Sequence, residues 1–587
     1  MDRSRRRVWL VIVALGLVFG WSFGADAQVT VVDPGTGRSV QATLGAVVNL
    51  AGLPVAGPDS VTTFSLRPQN GMSDADWNNR ASLVLQRSGS PSGVPPTVSP
   101  QGGAPAQPAA GALTPLAFKN FAGLGEAGLT PSDMGLAVND AFVVQMVNSR
   151  ITVMDKSGNT QPGFPKSLQT FFGAGSLVFD PRALYDWANT RWILIAINED
   201  FANSKGFLQL AVSQTSDPRG LYNIYQFQVG PTGQCPDFPT LGQSKAGIIV
   251  GFNVFGCSPA GFGGFVNSHV FLISKAQVYA GAATTVWDQF GFNVGGTAFD
   301  TLQPANIFDP ADRPRAAFVV NSLNINFGGG QCFGGCGGLV VWSISNLFGF
   351  QSGGPAPVFA GISLATTFTY FLSFGAHQPG SAFSIDAGDT RISGTVPYKS
   401  GSLWASNTTG CIPSCGATNE QSTFIWWQID PILDDNGGGC TGAFTNLCPK
   451  ITDARILQQD CYFCGGRGNA GSNYYASFGP DSERDVTVVF NYSDLSVNPG
   501  TAFVSRRVTQ ATNTLHDGGI FLAQQNVFYG QVRWGDYTAA APDLSGPFGI
   551  NTGDGGRKVW FSGMFVDGAG NWATQIGANK FVNVSDP

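Results

Sequence analysis

Histidine is nearly missing from this sequence: 587 residues include three, His269, His377 and His516. No H-E-x-x-H pair occurs, and no G-x-S-x-G elbow lies beyond the N-terminal leader. Neither a zinc hydrolase nor a serine hydrolase is therefore spelled out. His377, before Gln378-Pro379-Gly380 near the start of a repeat, ranks first of the three for chemistry. Charge is scarce as well: 12% of residues are charged, about half the usual share. With a net charge of −6 and no basic stripe, the chain has no electrostatic footprint for nucleic acid. No basic amphipathic helix addresses a membrane surface. Beyond the N-terminus, no apolar run is long enough to cross a bilayer as a helix.

What is present first is an export signal. Arg3, Arg5, Arg6 and Arg7 precede an apolar run, 8–24, which ends in Ala25-Asp26-Ala27. Basic start, apolar middle and small-x-small site predict a secretory signal peptide over 1–27, cut before Gln28. The expected address is periplasmic, cell-surface or extracellular. Ten cysteines fit that address and suggest disulfides. They come as close neighbours: Cys235 and Cys257, Cys332 and Cys336, Cys411 and Cys415, Cys440 and Cys448, Cys461 and Cys464. Neighbour pairing is the simplest of many connectivities. Zinc at Cys461/Cys464 and Cys332/Cys336 is the rival reading, weakened by export and by the lack of histidine.

Glycine (78 residues) and phenylalanine (45) are abundant. With so little charge, this composition suits short strands joined by tight turns. Residues 28–87 hold short apolar segments that form either a small β element or an extended leader. Residues 88–112 are rich in Pro, Gly, Ser and Ala and read as a linker. From 113 onward a motif recurs. A polar or Pro-containing start precedes an apolar strand that often ends in Asn. The copies are 131–135 with 142–148, 180–182 with 192–198, 237–239 with 248–253, 302–305 with 316–321, 389–392 with 402–407, 475–478 with 486–491, and 534–537 with 559–565. Such recurrence predicts an all-β fold, a seven-bladed propeller of four-stranded antiparallel sheets over 113–587.

Asp180-Pro181-Arg182-x-Leu184-Tyr185-Asp186 with Arg191-Trp192, Asp237-x-Pro239-x-Leu241-Gly242, Asp389-Thr390-Arg391-Ile392 with Gly401-Ser402-Leu403-Trp404, and Trp534-Gly535-Asp536-Tyr537 resemble blade motifs of bacterial secreted β-propeller proteins. The resemblance covers about 115–580 and implies the propeller fold; that family is largely uncharacterised, so it implies no reaction. The repeated Ser-x-Asp-x-Gly-x-x-Trp box of sialidase-type propellers is missing.

The repeat places Asp133, Asp180, Asp237, Asp389 and Asp536 at blade starts, where they are expected at one mouth of a central channel. Carboxylates gathered there suit Ca²⁺, a cationic ligand or a sugar; the structural alternative is hydrogen bonding within each turn. Asp434-Asp435-Asn436-Gly437 and Asp386-Ala387-Gly388-Asp389 lack calcium-loop spacing and read as turns. Trp426, Trp427, Tyr474 and Tyr475 would serve sugar or peptide binding if exposed, and the core if buried. Asn407-Thr408-Thr409 and Asn491-Tyr492-Ser493 are sequons. The functional expectation is an exported binding or scaffold propeller for a glycan, peptide or surface protein. Its alternative is a secreted hydrolase or lyase using the channel carboxylates, with a divalent cation. A structural envelope role, with 28–112 as spacer, is a third.

Overall fold

The computed structural model describes residues 32–57, 64–65, 114–294, 296–298, 300–312, 314–323, 335–380, 384–411, 421–434, 449–464, 468–515, 519–545 and 556–581. The expected signal peptide, 1–27, and the whole of the expected linker, 88–112, lie outside them. The fold is all-β apart from short helical turns such as Leu168–Phe172 and Lys275–Tyr279.

Its strands pair in antiparallel runs of four. Sheet I is Gly135–Val138, Phe142–Val147, Arg150–Asp155 and Lys166–Ser167. Sheet II is Val178–Asp186, Arg191–Asp200, Lys205–Ser213 and Leu221–Gln228. Sheet III is Gln234–Gln243, Gly247–Ser258, Gly261–Ser274 and Thr284–Phe290. Sheet IV is Gln303–Asn306, Ala317–Ser322, Leu339–Ser345 and Val358–Leu364. Sheet V is Val396–Lys399, Ser402–Cys411, Gln421–Leu433 and Ile451–Cys461. Sheet VI is Ser472–Pro480, Val486–Ser493, Gly500–Arg506 and Ile520–Ala523. Sheet VII is Ala539–Asp543, Lys558–Val566 and Trp572–Lys580, completed by the early strand Lys119–Gly125.

The second strands carry the recurring apolar runs because both faces of each sheet are covered. In Arg191–Asp200, Trp192, Leu194 and Ala196 pack with sheet I, while Ile193, Ile195 and Ile197 pack with sheet III. Similar cores lie between III and IV, IV and V, V and VI, VI and VII, and VII and I. Burying a side chain such as Ile195 contributes about 1.5–3 kcal/mol. The first strands touch in sequence from I to VII, and that of VII touches that of I.

In sheets I, II, IV, VI and VII a side chain closes the hairpin after the first strand. Asn139 Oδ1 accepts from the amides of Ala141 and Phe142. Asp186, Asp309, Asp481 and Asp543 accept equivalent amides. Three of these aspartates also take a lysine from a neighbouring sheet: Lys275 to Asp186 (2.7 Å), Lys399 to Asp309 (2.5 Å) and Lys156 to Asp543 (2.7 Å). One carboxylate thus shapes a turn and ties two sheets.

The described leader residues 32–57 form strands. Thr36–Ala42 adds a fifth strand to sheet III beside Thr284–Phe290, and Leu44–Asn49 adds one to sheet II beside Leu221–Gln228. Arg38 is anchored on the buried Asp288, its Nε and Nη2 each 3.0 Å from Oδ2. His269 Nδ1 lies 2.6 Å from the other oxygen, and its ring is stacked between Phe252 and Phe290. That histidine is structural.

Two adjacent sheet edges depend on the leader for backbone partners. Removing 28–57 from the mature chain is expected to lower the melting temperature and to promote association through the uncovered edges. Thermal unfolding and size-exclusion chromatography check this; an unchanged monomer with an unchanged melting temperature would show the hairpin to be dispensable.

Candidate functional site

Three of the first strands carry a kink. The pairing register slips between Phe179 and Arg182, between Asp237 and Thr240, and between Tyr474 and Ser477. The residue inside each slip is left-handed: Asp180 (φ 51°), Phe238 (φ 52°) and Tyr475 (φ 55°). Asp133 (φ 38°) and Thr301 (φ 48°) share this conformation at the lead-ins to sheets I and IV. Aspartate tolerates it better than a β-branched or aromatic residue does. The kinks turn polar backbone toward the axis, where it needs partners.

Asparagines at the second-strand ends supply many of them. Asn148 Nδ2 donates to Pro131 O (2.8 Å) and Asp133 Oδ2 (2.7 Å), and its Oδ1 accepts from Asp180 N (2.7 Å), joining sheets I and II. Asn253 does the same between III and IV: Oδ1 accepts from Thr301 N and Nδ2 donates to Thr301 Oγ1. Asp133 Oδ1 accepts from Asp536 N (2.7 Å), which joins VII to I.

The five expected aspartates fall at this hub. Asp133, Asp180, Asp237 and Asp536 are buried, and Asp389 is half-buried. Guanidiniums stand among them. Arg533 donates to Asp386 Oδ2 (3.0 Å) and Asp536 Oδ2 (3.1 Å). Arg391 Nε is 2.9 Å from both oxygens of Asp389. Arg182 donates to Pro239 O (2.9 Å) and, on the far side of the axis, toward Ser393 O. Its guanidinium lies 3.2 Å from the Tyr537 ring centre; Tyr537 packs edge-on against Phe238 (4.9 Å); Arg391 covers Phe238 at 4.3 Å. Arginine, tyrosine, phenylalanine and arginine thus fill the axis, held by cation–π and aromatic contacts.

Beyond this plug the axial channel is lined by Met134, Leu136, Leu184, Leu241, Phe308 and Ala540 among others, with Arg182 and Gln303 as polar members. Its cavity volume is about 30 Å³, room for roughly two waters.

Burial pushes the Asp133 carboxyl above its ordinary range, against the pull of Arg533. Asp180 is pushed much further, by burial and then by the charges of Asp133, Asp237 and Asp536. Burial works against the charge on Arg533, but Asp536, Asp386 and Asp133 outweigh it and hold the guanidinium charged. Among the described residues, no group of three or more His, Cys, Asp or Glu side chains is placed to hold a metal ion. The positive charge among these carboxylates comes from arginine.

Other sequence candidates fall elsewhere. Trp426, Trp427, Tyr474 and Tyr475 are buried core, the second of the two readings given for them. Asn407 and Asn491 are buried, which removes both sequons as glycan acceptors. Asp386 Oδ1 accepts from Gly388 N in a turn. His377 is half-buried, and His516 and residues 435–437 lie outside the described residues. Cys235–Cys257 and Cys461–Cys464 are disulfides, as neighbour pairing predicts. Cys336 is disulfide-bonded and Cys411 is buried with its Sγ 2.9 Å from Cys464 O; Cys332, Cys415, Cys440 and Cys448 lie outside the described residues.

Sequence reasoning missed Asp386, Arg182, Arg391 and Arg533 as members of the hub. Alignment on aspartate alone also hides a one-residue offset, because Phe238 rather than Asp237 holds the left-handed position.

Replacing Arg533→Gln withdraws a counter-charge from two buried carboxylates and is expected to cost about 3–5 kcal/mol in chemical denaturation. Asp180→Asn has the opposite character. A carboxyl whose folded pKa is raised loses stability as pH rises toward that pKa. Asp180→Asn is therefore expected to match the parent near pH 4 and exceed its melting temperature at pH 8 and above. At the sheet VI turn, burial and Asp485 push Asp481 up to about 8, so Asp481→Asn is expected to gain over the same interval, between about pH 4 and 8. Melting curves across that range check both; equal curves at all pH values would mean that these carboxyls are ionised at no cost.

No family model and no curated protein matches the chain. Distant likenesses exist among solved structures. A sialidase of Trypanosoma rangeli is 8% identical with a TM-score of 0.31, covering 76% of this chain and 59% of its own. A Dyadobacter fermentans protein of unknown function is 8% identical with a TM-score of 0.29, covering 79% of this chain and 99% of its own. An exo-β-1,3-galactanase from Phanerochaete chrysosporium is 11% identical with a TM-score of 0.24, covering 64% and 80%. The chain thus spans under two thirds of the sialidase's length, and similarity this low transfers no function.

Proposed function

We infer that this chain is an exported, closed seven-bladed propeller that works by binding or scaffolding, recognising a glycan, peptide or surface protein through its outer loops and clefts. The seven-bladed reading is supported by the cyclic contacts of the first strands and by Lys119–Gly125, which completes the last sheet from the other end of the chain. Export is supported by the disulfides Cys235–Cys257 and Cys461–Cys464. Among the described residues no helix is long and apolar enough to cross a membrane.

One observation carries the choice of binding over hydrolysis. The central carboxylates are buried against guanidiniums and backbone amides, beside a channel with room for roughly two waters. Glycoside hydrolysis needs two carboxyls facing a sugar across an open site. The hub has the residue types, but Asp133, Asp180, Asp237 and Asp536 are buried among the described residues. A divalent cation there would compete with Arg391 and Arg533 for the same oxygens, so calcium is not part of the proposal.

The test is to screen the mature chain, 28–587, for both binding and release of reducing ends on a glycan panel. Binding without release, unchanged in Asp180→Asn, is the expected result. Release that disappears in Asp180→Asn or Asp133→Asn would replace this reading with the hydrolase.

A further inference from the structure

A second cavity differs from the axial one in size and chemistry. It lies between sheets V and VI, at the end where the turn 399–402 meets the turn 481–485 and the segment after Arg506. Its volume is about 220 Å³. Ser402, Gln428, Asp430, Gln458, Arg484 and Arg506 supply its polar wall. Trp404 forms part of the floor, and Leu457 and Val508 stand exposed at the rim.

Three features separate this cleft from an ordinary gap between sheets. First, the amides are ordered in advance. Gln428 Nε2 donates to Ser402 Oγ (2.8 Å), Gln458 Nε2 donates to Gln428 Oε1, and Gln458 Oε1 accepts from Asn513 N (3.3 Å). Trp404 is fixed beneath them between Trp426 and Phe478. Second, Arg506 is 2% exposed and only partly satisfied. Its Nη2 donates to Gln510 O and Ala511 O, both 3.2 Å, while Nε has no partner. A buried guanidinium with an unmet donor is costly in the free protein, and an anion nearby relieves that cost. Third, charged groups of both signs stand at this mouth: Arg484, Arg506 and Asp430 line it, and the carboxylate of Asp485 lies close enough to act on Arg506.

The geometry points to this cleft as the binding site for a carboxylated sugar, a uronate unit within an acidic glycan. Arg506 and Arg484 meet the carboxylate, and Asp430 and the ordered amides meet ring hydroxyls. Leu457 and Val508 lie against the apolar edge of the chain. Saccharide is favoured over peptide because the polar wall is a set of side-chain amides and hydroxyls already bonded to one another, which suits ring hydroxyls. The proposal rests on the binding reading above and specifies its ligand class.

Trigalacturonate and neutral galactotriose, titrated calorimetrically into mature chain 28–587, provide the test. Trigalacturonate is expected to bind at least tenfold more tightly. Arg484→Gln, at an exposed position that leaves the core untouched, is expected to weaken trigalacturonate by about tenfold. Arg506→Gln is expected to weaken it further, with its melting temperature measured alongside. Asp430→Asn is expected to weaken both sugars. Equal affinity for the two sugars, no trigalacturonate binding, or indifference to Arg484→Gln would each overturn the assignment. Reducing ends released from bound trigalacturonate would overturn the binding reading while leaving this site in place. Binding of other glycans without trigalacturonate would do the reverse.

Discussion

Backbone amides that approach the axis must find acceptors from the protein, because almost no water fits there to serve them. Much of the hub follows from this requirement. Asn148 serves Pro131, Asp133 and Asp180 with one side chain, and Asn253 repeats the arrangement at Thr301. Asp133 closes the ring by accepting the amide of Asp536. Carboxylates brought in as acceptors then need counter-charge, and Arg391 and Arg533 provide it. Their guanidiniums, with Arg182, need flat surfaces and acceptors in turn. Phe238, Tyr537 and the carbonyls of Pro239 and Ser393 supply these.

That chain of dependence underlies the proposed choice of binding over hydrolysis. Catalytic carboxyls need perturbed pKa values and also access to substrate. Asp180 meets the first condition, through burial and neighbouring charge, but fails the second. The same distinction applies to His269. Its pairing with Asp288 resembles the orienting half of a catalytic triad, yet its ring is stacked between two phenylalanines and its aspartate is shared with Arg38 of the leader.

The strands were the most legible part of the sequence. Runs such as 192–198 and 486–491 are apolar without alternation because neighbouring sheets cover both faces, and that pattern is local. The terminal asparagines are visible in the repeat too, and Asn148 and Asn253 use their side chains to bond the start of the next sheet. Less was legible where the determinant is distant. That Lys119–Gly125 pairs with Trp572–Lys580 cannot be read from either segment alone. Arg182 and Ser393 are likewise brought together only by ring closure. The leader's short apolar segments showed strand character without showing which edges they cover.

Placing recognition at the periphery follows from the same physics. Residues at the hub hold the ring together, so changing one alters buried charge that others depend on. Residues such as Arg484, Leu457 and Val508 sit on turns and outer strands whose backbones are fixed by sheets V and VI. Their side chains can vary without disturbing the hub's hydrogen bonds. On the proposed reading, clefts between the sheets separate specificity from stability, since substitutions more than about 7–10 Å apart with no shared partners act almost independently. The cleft between sheets V and VI therefore has the freedom to be specific that the central aspartates lack.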